Sequence, residues 1–314
     1  MTRGPLFTDI YKPQFSGHET FPMRHGWLKK AYDAVYTFDK SPDKRAVFTE
    51  DEAISRFGVG KNMVAAIRHW ATTVGIISDY SQEQGINITP LGRLLLSNVG
   101  LDPYLEHPAS LWLIHWQLAG RPDKTTWYWT FNHYSSDTFD RDQLVKGLER
   151  LAKERGWLRV ASATIKRDVE CFVRTYAAKF STDHSGYEDT LESPLVELGL
   201  IKPIGKRDGF RLVRGPKASL GAGVFLYALI DFWNSYTSTS TLSFEAIAHE
   251  PGSLGKVFLL EENDLVNRLQ ELEDSSHGAY RWSETAGLKQ VIRKQDLDLE
   301  ARYKIFAQDY VLKD

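Results

Sequence analysis

Lys61-Asn62-Met63-Val64-Ala65-Ala66-Ile67-Arg68-His69-Trp70-Ala71-Thr72-Thr73-Val74 is the stretch whose reading decides the fold. Met63, Val64, Ile67, Trp70, Ala71 and Val74 recur at helical spacing, so the segment predicts an amphipathic helix with that stripe turned to a core. Lys61, Ala65, Arg68 and Thr72 fall on the other side, small or basic groups suited to a major groove. The turn Gly58-Val59-Gly60 precedes the helix, and a shorter helix from Glu50 to Phe57 precedes the turn. Ile76-Ile77-Ser78 and Ile86-Asn87-Ile88-Thr89 follow as short strands around a polar hairpin, and Thr89-Pro90-Leu91-Gly92 restarts a helix. This order predicts a winged helix over residues 48–95. No carboxylate occurs between Ala53 and Ser78, a composition that suits a nucleic-acid face better than a protein-binding one.

The same order recurs downstream. Asp140 to Glu154 and Ala163 to Ala178 read as a helix pair, the latter with Ile165, Val169, Phe172, Val173 and Tyr176 as its buried stripe and Lys166, Arg167 and Arg174 outside. Leu200-Ile201-Lys202 and Phe210-Arg211-Leu212-Val213 alternate as strands about Lys206-Arg207-Asp208-Gly209, where Asp-Gly is a tight-turn pair. From Leu220 an apolar helix near Val224 to Trp233 leads into a third helix–helix–strand pattern, Ser243 to Val291, after a loop over Ser235 to Thr241. Between the first two patterns lie Trp112, Trp116, Trp127, Tyr128, Trp129, Phe131 and Tyr134. Exposed, such rings would stack unpaired bases; the spacing of Trp127, Phe131 and Tyr134 favours a core. The predicted fold is mainly α with small β-wings, an α+β protein: residues 1–100 an N-terminal helix and winged helix, 101–218 an aromatic helical region and a second winged helix, 219–314 a helical, acidic, degenerate winged helix for partner contact.

Charge separates these modules. The net charge of −2 gives no global bias toward nucleic acid. Lys202 to Lys217, however, carries Lys202, Lys206, Arg207, Arg211, Arg214 and Lys217 against Asp208 alone, a local +5, whereas Glu261 to Asp274 carries a local −5. The basic segment suits phosphate and the acidic one repels it. Apolar runs such as Ala222 to Phe232 are too short to span a bilayer and the first residues lack a signal pattern, so the expected location is the cytoplasm, away from membranes. One cysteine, Cys171, excludes an internal disulfide and a zinc ribbon; it reads as a small packed group, although Arg167 and Arg174 at i−4 and i+3 would favour a thiolate. No phosphate loop, dinucleotide fingerprint or GxSxG elbow is present.

Phe15-Ser16-Gly17-His18-Glu19-Thr20-Phe21-Pro22-Met23-Arg24-His25-Gly26-Trp27-Leu28-Lys29-Lys30 combines a turn, a capping Thr20 and a Pro22 suited to a first helical turn, predicting a helix from here toward Tyr36 with Trp27, Leu28, Ala31 and Val35 inward. This stretch resembles the opening of the SspB family of bacterial DNA phosphorothioation and phage-defence operons. The similarity continues through Glu106-His107-Pro108-Ala109-Ser110-Leu111-Trp112-Leu113-Ile114-His115-Trp116 and Thr164-Ile165-Lys166-Arg167-Asp168-Val169. The resemblance implies a DNA-binding, DNA-nicking subunit acting with an SspC-like ATPase and an SspD-like sulfur-transfer ATP pyrophosphatase. It supplies no catalytic motif residue by residue.

Nicking needs an activated nucleophile and a metal ion or arginines to stabilise the phosphorane. Two clusters qualify. His18, Glu19 and His25 could converge with Arg24 on a metal or phosphate, or could simply cap a helix and fix a loop. Asp183-His184-Ser185-Gly186-Tyr187-Glu188-Asp189 offers hard oxygens for magnesium or manganese, or a solvated acidic loop. The candidate catalytic residues are therefore His18, Glu19 and Asp189; the candidate ligands are Asp183, His184, Glu188 and Asp189; the candidate DNA contacts are Lys61, Arg68, Lys166, Arg167 and Arg174 with Lys206, Arg207, Arg211 and Arg214. A non-catalytic DNA-binding adaptor or transcriptional regulator, and a protein-interaction scaffold, are the alternative functions.

Overall fold

The computed structural model describes residues 3–38, 46–49, 52–81, 85–177, 193–205, 208–285 and 287–311. The chain is mainly helical with small antiparallel sheets, an α+β fold. It begins with α1 (Trp27–Thr37), which buries Trp27, Leu28, Ala31 and Val35 as their spacing requires. The helix starts later than Thr20 and Pro22 suggest. Thr20 takes a left-handed φ of 67°, and Gly26 (φ 75°) turns the chain into α1 instead. Next come α2 (Ala46–Thr49), α3 (Glu52–Phe57) and α4 (Lys61–Thr73), whose Val64, Ile67, Trp70 and Ala71 are buried. The short helix expected from Glu50 to Phe57 thus starts at Glu52; Glu50 itself is outside the described residues. Strands β1 (Ile77–Ser81) and β2 (Gly85–Ile88) pair antiparallel, Ile77 opposite Ile88. Thr89 then caps α5 (Pro90–Leu96), its hydroxyl accepting from the Gly92 amide at 2.9 Å.

Helices α6 (Pro108–Ala119) and α7 (Thr125–Asn132) are buried all round, as helices apolar on every face must be. Trp112, Trp116, Trp127, Tyr128, Trp129 and Phe131 are all core, so these rings are unavailable to bases. After them β3 (Thr138–Phe139) leads into α8 (Arg141–Glu154), started by a capping box between Asp140 and Gln143. Then come α9 (Ser162–Tyr176), β4 (Ile201–Pro203) and β5 (Phe210–Leu212), in a sheet of order β3-β5-β4. Helix α10 (Ala222–Tyr236) precedes β6 (Thr241–Ser243), α11 (Phe244–His249), α12 (Leu254–Val257), α13 (Glu262–Gln270), α14 (Leu272–Ser275), β7 (Tyr280–Thr285) and β8 (Leu288–Arg293), with sheet order β6-β8-β7. The two three-stranded sheets are threaded alike: a strand, helices, then a hairpin whose second strand inserts beside the first strand. Helix α15 (Leu299–Ala307) follows.

By contact the chain forms two compact units, and neither is continuous in sequence. One comprises residues 13–106 and 138–211; the other comprises 1–12, 107–137 and 212–314. In the second unit, α6 presents three polar groups to partners that its helical register dictates. Trp112 Nε1 donates to Ser219 Oγ at 3.0 Å, and Trp116 Nε1 donates to Asp231 Oδ2 at 2.8 Å. Arg121 holds the same Asp231 carboxylate through Nε at 3.1 Å and Nη2 at 2.9 Å, a forked pair that satisfies both oxygens. His115 is fully buried, and its Nε2–H donates to the Val257 carbonyl at 2.8 Å.

Burial pulls the His115 pKa down to about 4, because a buried imidazolium loses its hydration. The unfolded chain therefore takes up this proton near pH 6.5 while the native state resists it until about 4, so stability falls as pH drops through that window. The two values imply a loss of about 2 kcal/mol from this site between pH 7 and 5. Chemical denaturation at the two pH values checks it: His115→Phe is expected to be less stable at pH 7 and to show a shallower acid dependence than the native chain.

Candidate nucleic-acid interface

Between Phe15 and Gly26 the chain makes a tight loop that docks against both α4 and α9 within the first unit. His18, 2% exposed, is its anchor. Its Nδ1 accepts from the Thr20 amide at 3.0 Å, which places the ring proton on Nε2, and Nε2 donates to Asp168 Oδ1 of α9 at 2.8 Å. Trp70 Nε1 of α4 donates to the Phe21 carbonyl at 3.0 Å, and Arg174 of α9 donates to the Thr20 carbonyl at 3.3 Å. Glu19 and Thr20 both take positive φ, at 47° and 67°, a strained backbone that these bonds hold in place. Gly17 (φ 100°) has no alternative: a Cβ there would lie 2.4 Å from His69 Nδ1.

The loop does not gather the catalytic cluster that the sequence suggests. His18 has both ring nitrogens committed, Glu19 is exposed, and His25 stands at the surface 3.8 Å from Glu197. Arg24 lies 5.7 Å from the centroids of the Phe21 and Trp27 rings. Of the two readings of this stretch, loop fixation is the one the geometry supports. Asp168 is the partner that sequence reasoning missed. The available signal was an ionisable residue in the buried register of α9, between Ile165 and Phe172.

The cations divide by environment. On α9, Lys166 and Arg167 are exposed and Arg174 is drawn to the loop. Arg211 is exposed on β5. Arg214 is half neutralised by Asp137, with Nε 2.8 Å from its carboxylate. Lys217 leaves the basic wing altogether: it is buried, its Nζ donates to the carbonyls of Val213 and Gly215 at 3.0 and 2.8 Å, and burial lowers its pKa to about 8. Lys61 is exposed at the start of α4, whereas Arg68 is ion-paired with Asp79 of β1. Cys171 is buried and reads as packing. Lys206 and Arg207, and Asp183, His184, Glu188 and Asp189, lie outside the described residues. Among the described residues no three His, Cys, Asp or Glu side chains come together as metal ligands. Among them, too, no helix is long and apolar enough to cross a membrane.

A mainly helical α+β chain with exposed cations on its second helix–hairpin pattern is, in three dimensions, a relative of SspB. It is 28% identical to a magnesium ion-bound SspB crystal structure, covering 95% of this chain and 88% of that one with a TM-score of 0.82; a second SspB crystal structure matches at 28% identity, 95% and 87% coverage and a TM-score of 0.77. The chain belongs to the DUF4007 family, described as a protein of unknown function, whose sequence pattern spans residues 15–310. No curated protein matches it.

The His18–Asp168 pair makes a graded series. His18→Ala strands a buried carboxylate and is expected to cost about 3–5 kcal/mol, whereas Asp168→Asn keeps an acceptor for Nε2–H and should cost roughly 1 kcal/mol. Denaturant unfolding of the two variants measures this. Equal stability of His18→Ala and the native chain would return His18 to the pool of catalytic candidates.

Proposed function

We propose that this chain is a DNA-binding component of a DNA phosphorothioation and phage-defence system, built from winged-helix modules. The carrying observation is the pair Lys166 and Arg167, solvent-exposed on a 15-residue helix whose two carboxylates are both engaged, Asp168 turned inward to His18 and Glu170 paired with Arg141 of α8. A helix whose carboxylates are engaged within the protein leaves its exposed cations able to meet phosphate. The strand–helix–helix–hairpin threading around it, with the second hairpin strand beside the first strand, is the winged-helix order, and Arg211 adds a cation on its wing. Similarity to SspB over 95% of the chain supplies the biological setting, and with it the expectation of SspC-like and SspD-like partners. The acidic α13 and α14, with Glu262, Asp264, Glu273 and Asp274, are assigned to those partners rather than to DNA.

Fluorescence anisotropy against a duplex oligonucleotide at several salt concentrations tests the reading. Lys166→Ala/Arg167→Ala is expected to weaken binding to unrelated sequences alike and to flatten the slope of log K against log salt by about 1–2 units. An unaltered slope removes α9 from the interface, and an absence of salt-dependent binding by the native chain leaves the scaffold alternative.

Nicking is a further step of this reading, favoured by the magnesium bound in the relative. Its candidate ligands are the carboxylates between Asp183 and Asp189. Supercoiled plasmid incubated with magnesium or manganese is expected to relax to the open circle with the native chain and to persist with Asp189→Ala, while both proteins bind DNA equally. Plasmid left supercoiled by the native chain under both metals makes the non-catalytic adaptor the function.

A further inference from the structure

Lys61, Ala65, Arg68 and Thr72, the face of α4 that a groove-reading helix would project, form instead one wall of a concave pocket of about 650 Å³. Phe48, Thr49, Ala53 and Ile54 of α2 and α3 form the facing wall, and Gly17 and His69 lie at the loop side. The volume falls within the range of small-ligand sites. A duplex groove is read by a convex helix, and a pocket cut into the reading face cannot make that contact along its length. A flat ring released from a base stack can enter it.

We propose that this pocket takes a single unstacked nucleotide of a DNA strand, with its base inside and its phosphate at Lys61. The inference rests on the DNA-binding reading and narrows it from duplex edges to one extruded or unpaired base. The lining has the two characters such a ligand needs. Phe48, Ala53, Ile54, Val64 and Ala65 give an apolar slot for a ring face, with Phe48 stacked on Phe57 at 5.2 Å between centroids. Around the slot stand groups for base edges: the Asp79 carboxylate positioned by Arg68, the His69 ring, and the Thr72 hydroxyl, which is buried without a hydrogen-bond partner among the described residues. Lys61 is exposed at the rim and has no ion-pair partner among the described residues. A purely apolar side chain of a protein partner would leave the buried Thr72 hydroxyl without a hydrogen-bonding complement, so the lining favours the base. Gly17 lets the N-terminal loop pack on His69 at the pocket's edge, where a Cβ would lie 2.4 Å from His69 Nδ1.

A short oligonucleotide with one central 2-aminopurine, single-stranded or in a fully matched duplex, reads the pocket directly by fluorescence. The expected result is a saturable fluorescence change with the single strand, and an affinity for it about tenfold above that for the duplex, the scale of one base–aromatic stacking contact. Ala65→Trp and Ile54→Trp fill the slot from opposite walls at exposed positions and are each expected to lose that change and roughly tenfold of the single-strand affinity. Asn62→Trp, exposed on the same helix but outside the pocket, is expected to keep both. Thermal midpoints of the three variants confirm that they fold. An unaltered fluorescence change in both filling variants, or an equal loss in Asn62→Trp, overturns the proposal. So does free 2-aminopurine deoxyribonucleoside monophosphate binding as tightly as the strand, which would make the ligand a soluble nucleotide. Duplex binding with full salt dependence but no pocket effect overturns this inference alone and leaves the α9 reading standing.

Discussion

The hydrogen bond between His18 and Asp168 joins residues 150 positions apart in a site almost free of solvent, and the organisation of the first unit depends on it. The segment 13–106 and the segment 138–211 are separated in sequence by α6 and α7, which belong to the other unit. Something must hold the two halves together after the chain has left and returned. The loop from Phe15 to Gly26 does this by binding α4 through Trp70 and α9 through Asp168 and Arg174. Because Nδ1 accepts from the chain's own backbone, the ring arrives at α9 already oriented, and its remaining N–H has one direction to point. The strained φ values at Glu19 and Thr20 follow from that constraint: the chain must reverse within two residues to bring the Thr20 amide back to the His18 ring.

Much of the fold was legible because it rests on local rules. The core stripes of α1, α4 and α9, the Thr89 cap and the Asp140–Gln143 capping box each follow from spacing or from one side chain reaching one backbone group. The core role of Trp127 and Phe131 in α7 was likewise announced by their i, i+4 spacing, whereas Tyr134, the third ring of that series, lies beyond the helix and is only half-buried. What was not legible depends on partners distant in sequence. Pro22 and Thr20 are residue types suited to a helix start, yet the bond from the Thr20 amide to the His18 ring holds Thr20 at a left-handed φ of 67°, away from the extended backbone of a helix cap. The division into interleaved units leaves no local mark: one crossing falls within strand β5, between Arg211 and Leu212.

The site was less legible than the fold, for an electrostatic reason. Counting cations along a segment treats each as free, whereas in a folded chain a cation's field depends on what its own neighbours have already neutralised. Lys217 is spent on backbone carbonyls, Arg214 on Asp137, Arg68 on Asp79 and Arg174 on a carbonyl of the N-terminal loop. Lys166, Arg167 and Arg211 remain exposed. The local +5 of the hairpin therefore overstates its field, and the smaller cluster on α9 understates its own, because Asp168 is buried against His18 and Glu170 is paired with Arg141.

This last point connects architecture with binding. A carboxylate one position from two cations would normally cancel much of their attraction for phosphate. Burial of Asp168 in a hydrogen bond to the His18 ring turns that carboxylate to the inner side of the helix, where the protein interior and the loop intervene. The same bond that ties the unit together thus removes one of the two carboxylates of α9 from solvent, and Arg141 pairs with the other, Glu170. An N-terminal signature that looks like chemistry, with its histidine, glutamate and arginine, acts through geometry: it holds Asp168 on the inner side of α9, and through Gly17 and His69 it shapes the edge of the pocket on α4.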